Sequence, residues 1–130
     1  MPKVTKKLSD LILCDYVELG VSVEPTDQEI RQAIEKGDFE MRGMDEHQDL
    51  LRAWLLAGSN NGKDVDAVVR LMSDYHRKRV AYLVVTEWPK DDKYPITVNK
   101  MNQVIAGNHR VRAARYKGIT ELEVMVTEPG

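Results

Sequence analysis

Little in this sequence can form a covalent or metal cross-link. Cys14 is the only cysteine among 130 residues. That excludes an internal disulfide and any multi-cysteine zinc site, and it fits a reducing, cytoplasmic compartment. His47, His76 and His109 show no metal-ligand spacing, so no structural metal is expected. Long apolar runs are also missing. The run at residues 11–14 is bracketed by Asp10 and Asp15 and is too short for a signal-peptide core or a membrane span. No membrane partner is expected. A large excess of one charge is absent as well: the formal net charge is −2, so any nucleic acid would have to meet a local basic patch. Internal repeats and low-complexity tracts are lacking.

What is present is a chain of single-domain length, 42% hydrophobic, which is enough for a buried core. Residues 4–13 read as an opening strand and turn, with Leu8, Leu11 and Leu13 as core candidates. Residues 16–23 favour strand around Gly20 but fix no single assignment. Thr26-Asp27-Gln28-Glu29 is a capping box; Ile30, Ala33 and Ile34 follow at helical spacing and Gly37 ends the helix. A second helix is expected from Asp45 to Gly58 and a third from Asp64, separated by the loop-like Ser59-Asn60-Asn61-Gly62. Residues 75–88 carry β-branched residues, yet Val80, Leu83, Val84 and Trp88 fit one helical face and Pro89 stops the element, so a helix is expected. Trp54 and Trp88 are expected in the core.

Charge is divided along the chain. Residues 24–49 hold nine acids against three bases, whereas residues 108–117 hold Arg110, Arg112, Arg115 and Lys117 and no acid. A solvated helical face is the simpler reading of the acidic run; a DNA mimic, a self-docking surface or a surface for a host protein are the alternatives.

Residues 94–126 concentrate the chemistry. Pro95-Ile96-Thr97-Val98 reads as a strand, Asn99 to Asn102 as a turn, Gln103 to Ala106 as a returning strand. Gly107 then permits a sharp entry into a helix with Asn108 as its expected N-cap, and Gly118 lies just past its end, before a closing strand over 119–126. Helix starts present backbone N–H groups and partial positive charge, which suit phosphate. His109 and Arg110 add to that place. Arg110 would pair with phosphate oxygens; His109 would donate to phosphate, act as an acid or base near neutral pH, or only pack. Arg112, Arg115 and Lys117 are expected on the helix surface, where they would track a DNA backbone or simply be solvated.

The pattern Pro95-Ile96-x-Val98, a turn, then Gly107-x-His109-Arg110-x-x-Ala113-Ala114 and Gly118 resembles the ParB/sulfiredoxin superfamily, also called the ParB-like nuclease domain. The opening Leu8-Ser9-Asp10-Leu11 is similar to that family's first strand and turn. The resemblance covers about the last third of the chain. It implies a small α/β fold: a mixed sheet with packed helices, here one domain over 1–130 with a core at 94–126 and a helical insertion at 26–73. It also implies a nucleotide or phosphoryl group over Gly107, Asn108, His109 and Arg110, with a nucleoside triphosphate and Mg²⁺ as cofactors. Beside that resemblance, His76 and Arg79, one turn apart before a core-facing helix, would either serve as further phosphate ligands or form an exposed basic helix start, and Asp74 or Glu87 would either hold Mg²⁺ or be solvated helix carboxylates. His109 is the candidate catalytic residue.

The departures restrict the reaction. Reductases of this family place the attacking cysteine at the second motif position, where this chain has Asn108. Partition proteins carry a Glu-Arg-Arg motif and further domains that do not follow here. A nuclease needs a carboxylate cluster that the sequence does not offer. The resemblance therefore points to a stand-alone phage- or plasmid-type domain that hydrolyses a nucleotide or transfers phosphoryl, or else to a non-catalytic DNA- or protein-binding module, with DNA nuclease as a further alternative.

Overall fold

The structure is a computed structural model that describes residues 3–14, 16–18, 20–42, 48–59, 65–86 and 95–127. Its described elements are mixed α and β: a five-stranded mixed sheet, a two-stranded sheet and four α-helices. The chain divides into two compact units, one formed by Met1–Asp15 with Leu83–Gly130, the other by Tyr16–Tyr82. The first carries a formal charge of +2 and the second −4, so the sign division seen along the sequence falls between the units.

The first unit holds the larger sheet. Strand β1 (Lys3–Lys7) is an edge strand and pairs antiparallel with β7 (Glu121–Val126), Lys3 facing Met125 and Lys7 facing Glu121. Lysines along such an edge discourage further pairing. A 3₁₀ turn, Leu8–Asp10, buries Leu8 and leads to β2 (Ile12–Leu13), the opposite edge. Strand β5 (Thr97–Val98) lies between β7, to which it is parallel, and β6 (Gln103–Ala106), to which it is antiparallel; β6 in turn is parallel to β2. The β5–β6 turn is closed by Asn99, whose Oδ1 accepts from the Met101 and Gln103 amides. Asn102 adopts φ +63°, a conformation that Asn tolerates better than most residues.

Alternation in β7 puts Leu122, Val124 and Val126 toward the core and Glu121 and Glu123 outward. The core joins Leu8, Leu11, Ile96, Val98, Val104, Val111, Ala114 and Val124. Helix α4 (Asn108–Tyr116) contributes Val111, Ala113 and Ala114, all wholly buried; small residues let it pack close.

In the second unit, strands β3 (Val17–Glu18) and β4 (Val21–Ser22) form a hairpin around Gly20, which resolves the ambiguous stretch at 16–23. Helix α1 (Asp27–Lys36) begins with the expected capping box: Thr26 Oγ1 accepts from the Glu29 amide, Glu29 Oε1 accepts from the Thr26 amide, and Gly37 ends the helix left-handed. Helix α2 spans Gln48–Ser59, and α3 spans Val65–Val85, its residues from Leu83 onward belonging to the first unit. Helix α3 continues through the β-favouring residues because Val68, Met72, Tyr75, Val80 and Leu83, at spacings of three to five, are buried together on one helical stripe. The expected helix starts at Asp45 and Asp64, together with His47, Glu87, Trp88, residues 60–62 and residues 89–94, lie outside the described residues, as does the Trp54 side chain. No described helix is long and apolar enough to cross a membrane.

Candidate functional site

The head of α4 follows directly from the end of β6. Gly107 is its N-cap, with φ +99° and ψ +23° and no side-chain capping bond. The Val111 amide donates to the Gly107 carbonyl at 2.9 Å, closing the first turn. Asn108, expected as the cap, is instead the first helical residue and is 1% exposed. Capping needs a side chain free to fold back on the first turn; the Asn108 amide points into the protein, where Oδ1 accepts from the Cys14 amide at 3.0 Å and Nδ2 donates to the Val104 carbonyl at 3.2 Å.

Side chains crowd the turn at Gly107. A Cβ on Gly107 would stand 2.9 Å from Ile96 Cγ1 and 3.2 Å from Arg110 Nη2. The Arg110 guanidinium therefore folds back over the turn that precedes it. His109 and Arg110 are both half-buried. The first turn of α4 carries no acidic residue, so its helix dipole is not answered by a carboxylate of that turn. The head of α4 thus places its first-turn N–H groups beside the Arg110 guanidinium.

The remaining basic residues of α4 are placed differently from the expected open face. Arg112 is buried, 8% exposed, a departure from its expected surface position. It lies four residues from Asn108 and one from Val111, on the packed side of the helix. Arg115 is half-buried and its Nη2 donates to the carbonyls of Leu8 and Leu11, each at 2.6 Å, so it fastens the 3₁₀ turn between β1 and β2. Of the three, only Lys117 is exposed.

His76 and Arg79 are engaged within the second unit. His76, 3% exposed, packs edge-on against Tyr16 at 4.9 Å and lies 5.4 Å from Tyr75. Burial lowers its pKa from 6.5 to about 4. It is therefore a neutral packing residue at pH 7, poorly suited to carry positive charge to a phosphate. Arg79 Nη1 donates to the carbonyls of Glu40 at 3.3 Å and Met41 at 2.8 Å, and its guanidinium lies 5.7 Å from the Tyr82 ring centre. Asp74, weighed as a Mg²⁺ ligand, pairs with Arg77 and Lys78 on α3. No group of three or more His, Cys, Asp or Glu side chains poised for a metal occurs among the described residues.

Sequence reading missed Cys14. It is 94 residues from Asn108, yet its amide meets that side chain and its exposed thiol follows immediately on β2. The parallel pairing of β2 with β6 brings them together. Nothing in a hydrophobic pattern announces such a pairing, because two-residue strands have no period to read. Comparison with known proteins finds no matching family model, no matching curated protein and no matching solved structure.

Proposed function

We propose that this chain is a ParB/sulfiredoxin-like domain that binds the phosphate groups of a nucleotide at Gly107–Arg110 and hydrolyses the nucleotide or transfers its phosphoryl group. The observation that carries this reading is the Arg110 guanidinium folded over a glycine turn at a helix head whose own first turn holds no acid. Phosphoryl transfer asks a protein mainly to position and to neutralise charge, and this arrangement supplies both. Arg110 would neutralise the phosphate oxygens, the first-turn N–H groups would orient them, and His109 would hold or move a proton beside them. Mg²⁺ would arrive on the nucleotide, held by phosphate oxygens and water, a common mode for this ion. The unit that bears the turn is the net basic one, which favours the encounter with a polyphosphate. The alternative, a module that binds DNA through α4, has less support, since Arg112 is buried and Arg115 holds backbone carbonyls.

Thermal unfolding in the presence of ATP, GTP, CTP or UTP, each with and without Mg²⁺, tests the proposal. Saturation at about a hundredfold over Kd adds about 2.7 kcal/mol, a rise of several degrees. At least one nucleotide should produce it with the wild type and none with Arg110→Ala. A flat screen at millimolar nucleotide refutes the reading.

A further inference from the structure

The β2–β6 ladder changes where β2 ends. Strands β2 and β6 run parallel, Ile12 opposite Gln103 and Leu13 opposite Val104. The Ile12 amide donates to the Asn102 carbonyl at 2.8 Å. The next bond of a regular parallel ladder would run from the Cys14 amide to the Val104 carbonyl, two residues further along each strand. The Asn108 carboxamide stands between these two groups. Its Oδ1 takes the Cys14 N–H at 3.0 Å and its Nδ2 gives to the Val104 carbonyl at 3.2 Å. The partners fix which end is which: an amide N–H can only donate and a carbonyl can only accept. The side chain thus replaces a peptide-to-peptide bond with a carboxamide, itself the chemical copy of a peptide group.

We infer that Asn108 is a positioning residue: its carboxamide, inserted in the β2–β6 ladder, locks the head of α4 to the end of β2 and to Val104 of β6. The role rests on the phosphate-binding reading of the turn. Asn108 is 1% exposed and both ends of its amide are engaged, so it does not touch a ligand in solvent; it sets where Gly107, His109 and Arg110 stand. The chemistry required is narrow. The side chain must present an acceptor atom and a donor atom side by side: Ala has neither, Ser has a single shorter-reaching oxygen, and an ionised Asp only accepts. A buried acceptor facing another acceptor is unfavourable, and so is a buried N–H without a partner.

Asn108→Asp isolates the effect because it keeps the shape. When ionised, it turns a second acceptor toward the Val104 carbonyl. When protonated, it again donates there while accepting from Cys14, and burial favours that protonated form. Two measurements on the full chain settle the role. The first, without ligand, is hydrogen exchange. Relative to wild type at the same pH, the Cys14 amide should exchange about tenfold faster or more in Asn108→Ala, and also in Asn108→Asp at pH 7.5, with β1–β7 amides unchanged. At pH 5.5 the Asn108→Asp ratio should return toward one. The second is affinity for inorganic tripolyphosphate, again as the ratio to wild type, which should fall by about tenfold in Asn108→Ala at both pH values and less in Asn108→Asp the more its carboxyl is protonated. Unchanged Cys14 exchange in both variants overturns the lock. Changed exchange with wild-type affinity at both pH values overturns the positioning role. A wild type that binds no tripolyphosphate overturns the phosphate reading itself, while the exchange result still decides the lock.

Discussion

Replacing Gly107 by Ala tests the geometry of the site most directly. Two costs add. A left-handed backbone at a non-glycine residue costs about 1–2 kcal/mol. The added Cβ then stands 2.9 Å from Ile96 Cγ1 and 3.4 Å from Ile96 Cα. Ile96 is 6% exposed and packed in the core, so it cannot swing away as a surface side chain would. Overpacking of this kind costs about 1–3 kcal/mol. The third contact, Arg110 Nη2 at 3.2 Å, is relieved by moving the guanidinium, which displaces the group assigned to phosphate. A control lies at the other end of the same helix. Gly118 also has a positive φ, +79°, but a Cβ there meets nothing within 4 Å. Gly118→Ala therefore carries the backbone cost alone, and the gain from a stiffer unfolded chain cancels between the two variants. Differential scanning calorimetry should find Gly107→Ala less stable than Gly118→Ala by about 1–3 kcal/mol, roughly 4–10 °C for a chain of this size. Equal melting temperatures would refute the claim that the turn is sterically closed over Ile96 and Arg110.

His76 and Arg115 give further tests. The folded protein holds His76 neutral down to about pH 4, whereas the unfolded chain takes up the proton near 6.5. The burial term is therefore fully present above pH 6.5 and is lost as pH falls toward 4, by about 3 kcal/mol in all. Urea unfolding of wild type should show this acid sensitivity and His76→Phe should lose much of it; an NMR titration placing His76 near 6.5 in the folded state would contradict the assignment. Arg115→Ala removes charge-assisted bonds to Leu8 and Leu11 carbonyls and should destabilise by about 2 kcal/mol, with Arg115→Lys intermediate. A loss below about 0.5 kcal/mol in chemical denaturation would mean that water replaces the guanidinium at no cost.

Locally encoded features were legible in the sequence because their physics spans four residues or fewer. The capping box at Thr26 and Glu29, the left-handed exit at Gly37 and the αL entry at Gly107 each depend on neighbours along the chain. The closing strand was legible too, expected over 119–126 and found at Glu121–Val126. The helix over 75–85 needed a weighing of two patterns, and burial on one stripe overrode β-propensity.

Side-chain roles on α4 were less legible. Arg112, Arg115 and Lys117 look alike in sequence, as solvated cations at helical spacing. Which is buried, which fastens a turn and which meets water depends on how the helix rotates against the sheet, and Arg115 finds its carbonyls 104 and 107 residues away. Asn108 shows the same limit at the site itself. The sequence alone determined that a glycine opens a helix at 107 and that His109 and Arg110 flank its head. The tertiary structure decided that Asn108 caps nothing and instead enters the β2–β6 ladder. The reason is physical: the Cys14 amide and the Val104 carbonyl become its partners only after two short parallel strands, 91 residues apart in register, have come together.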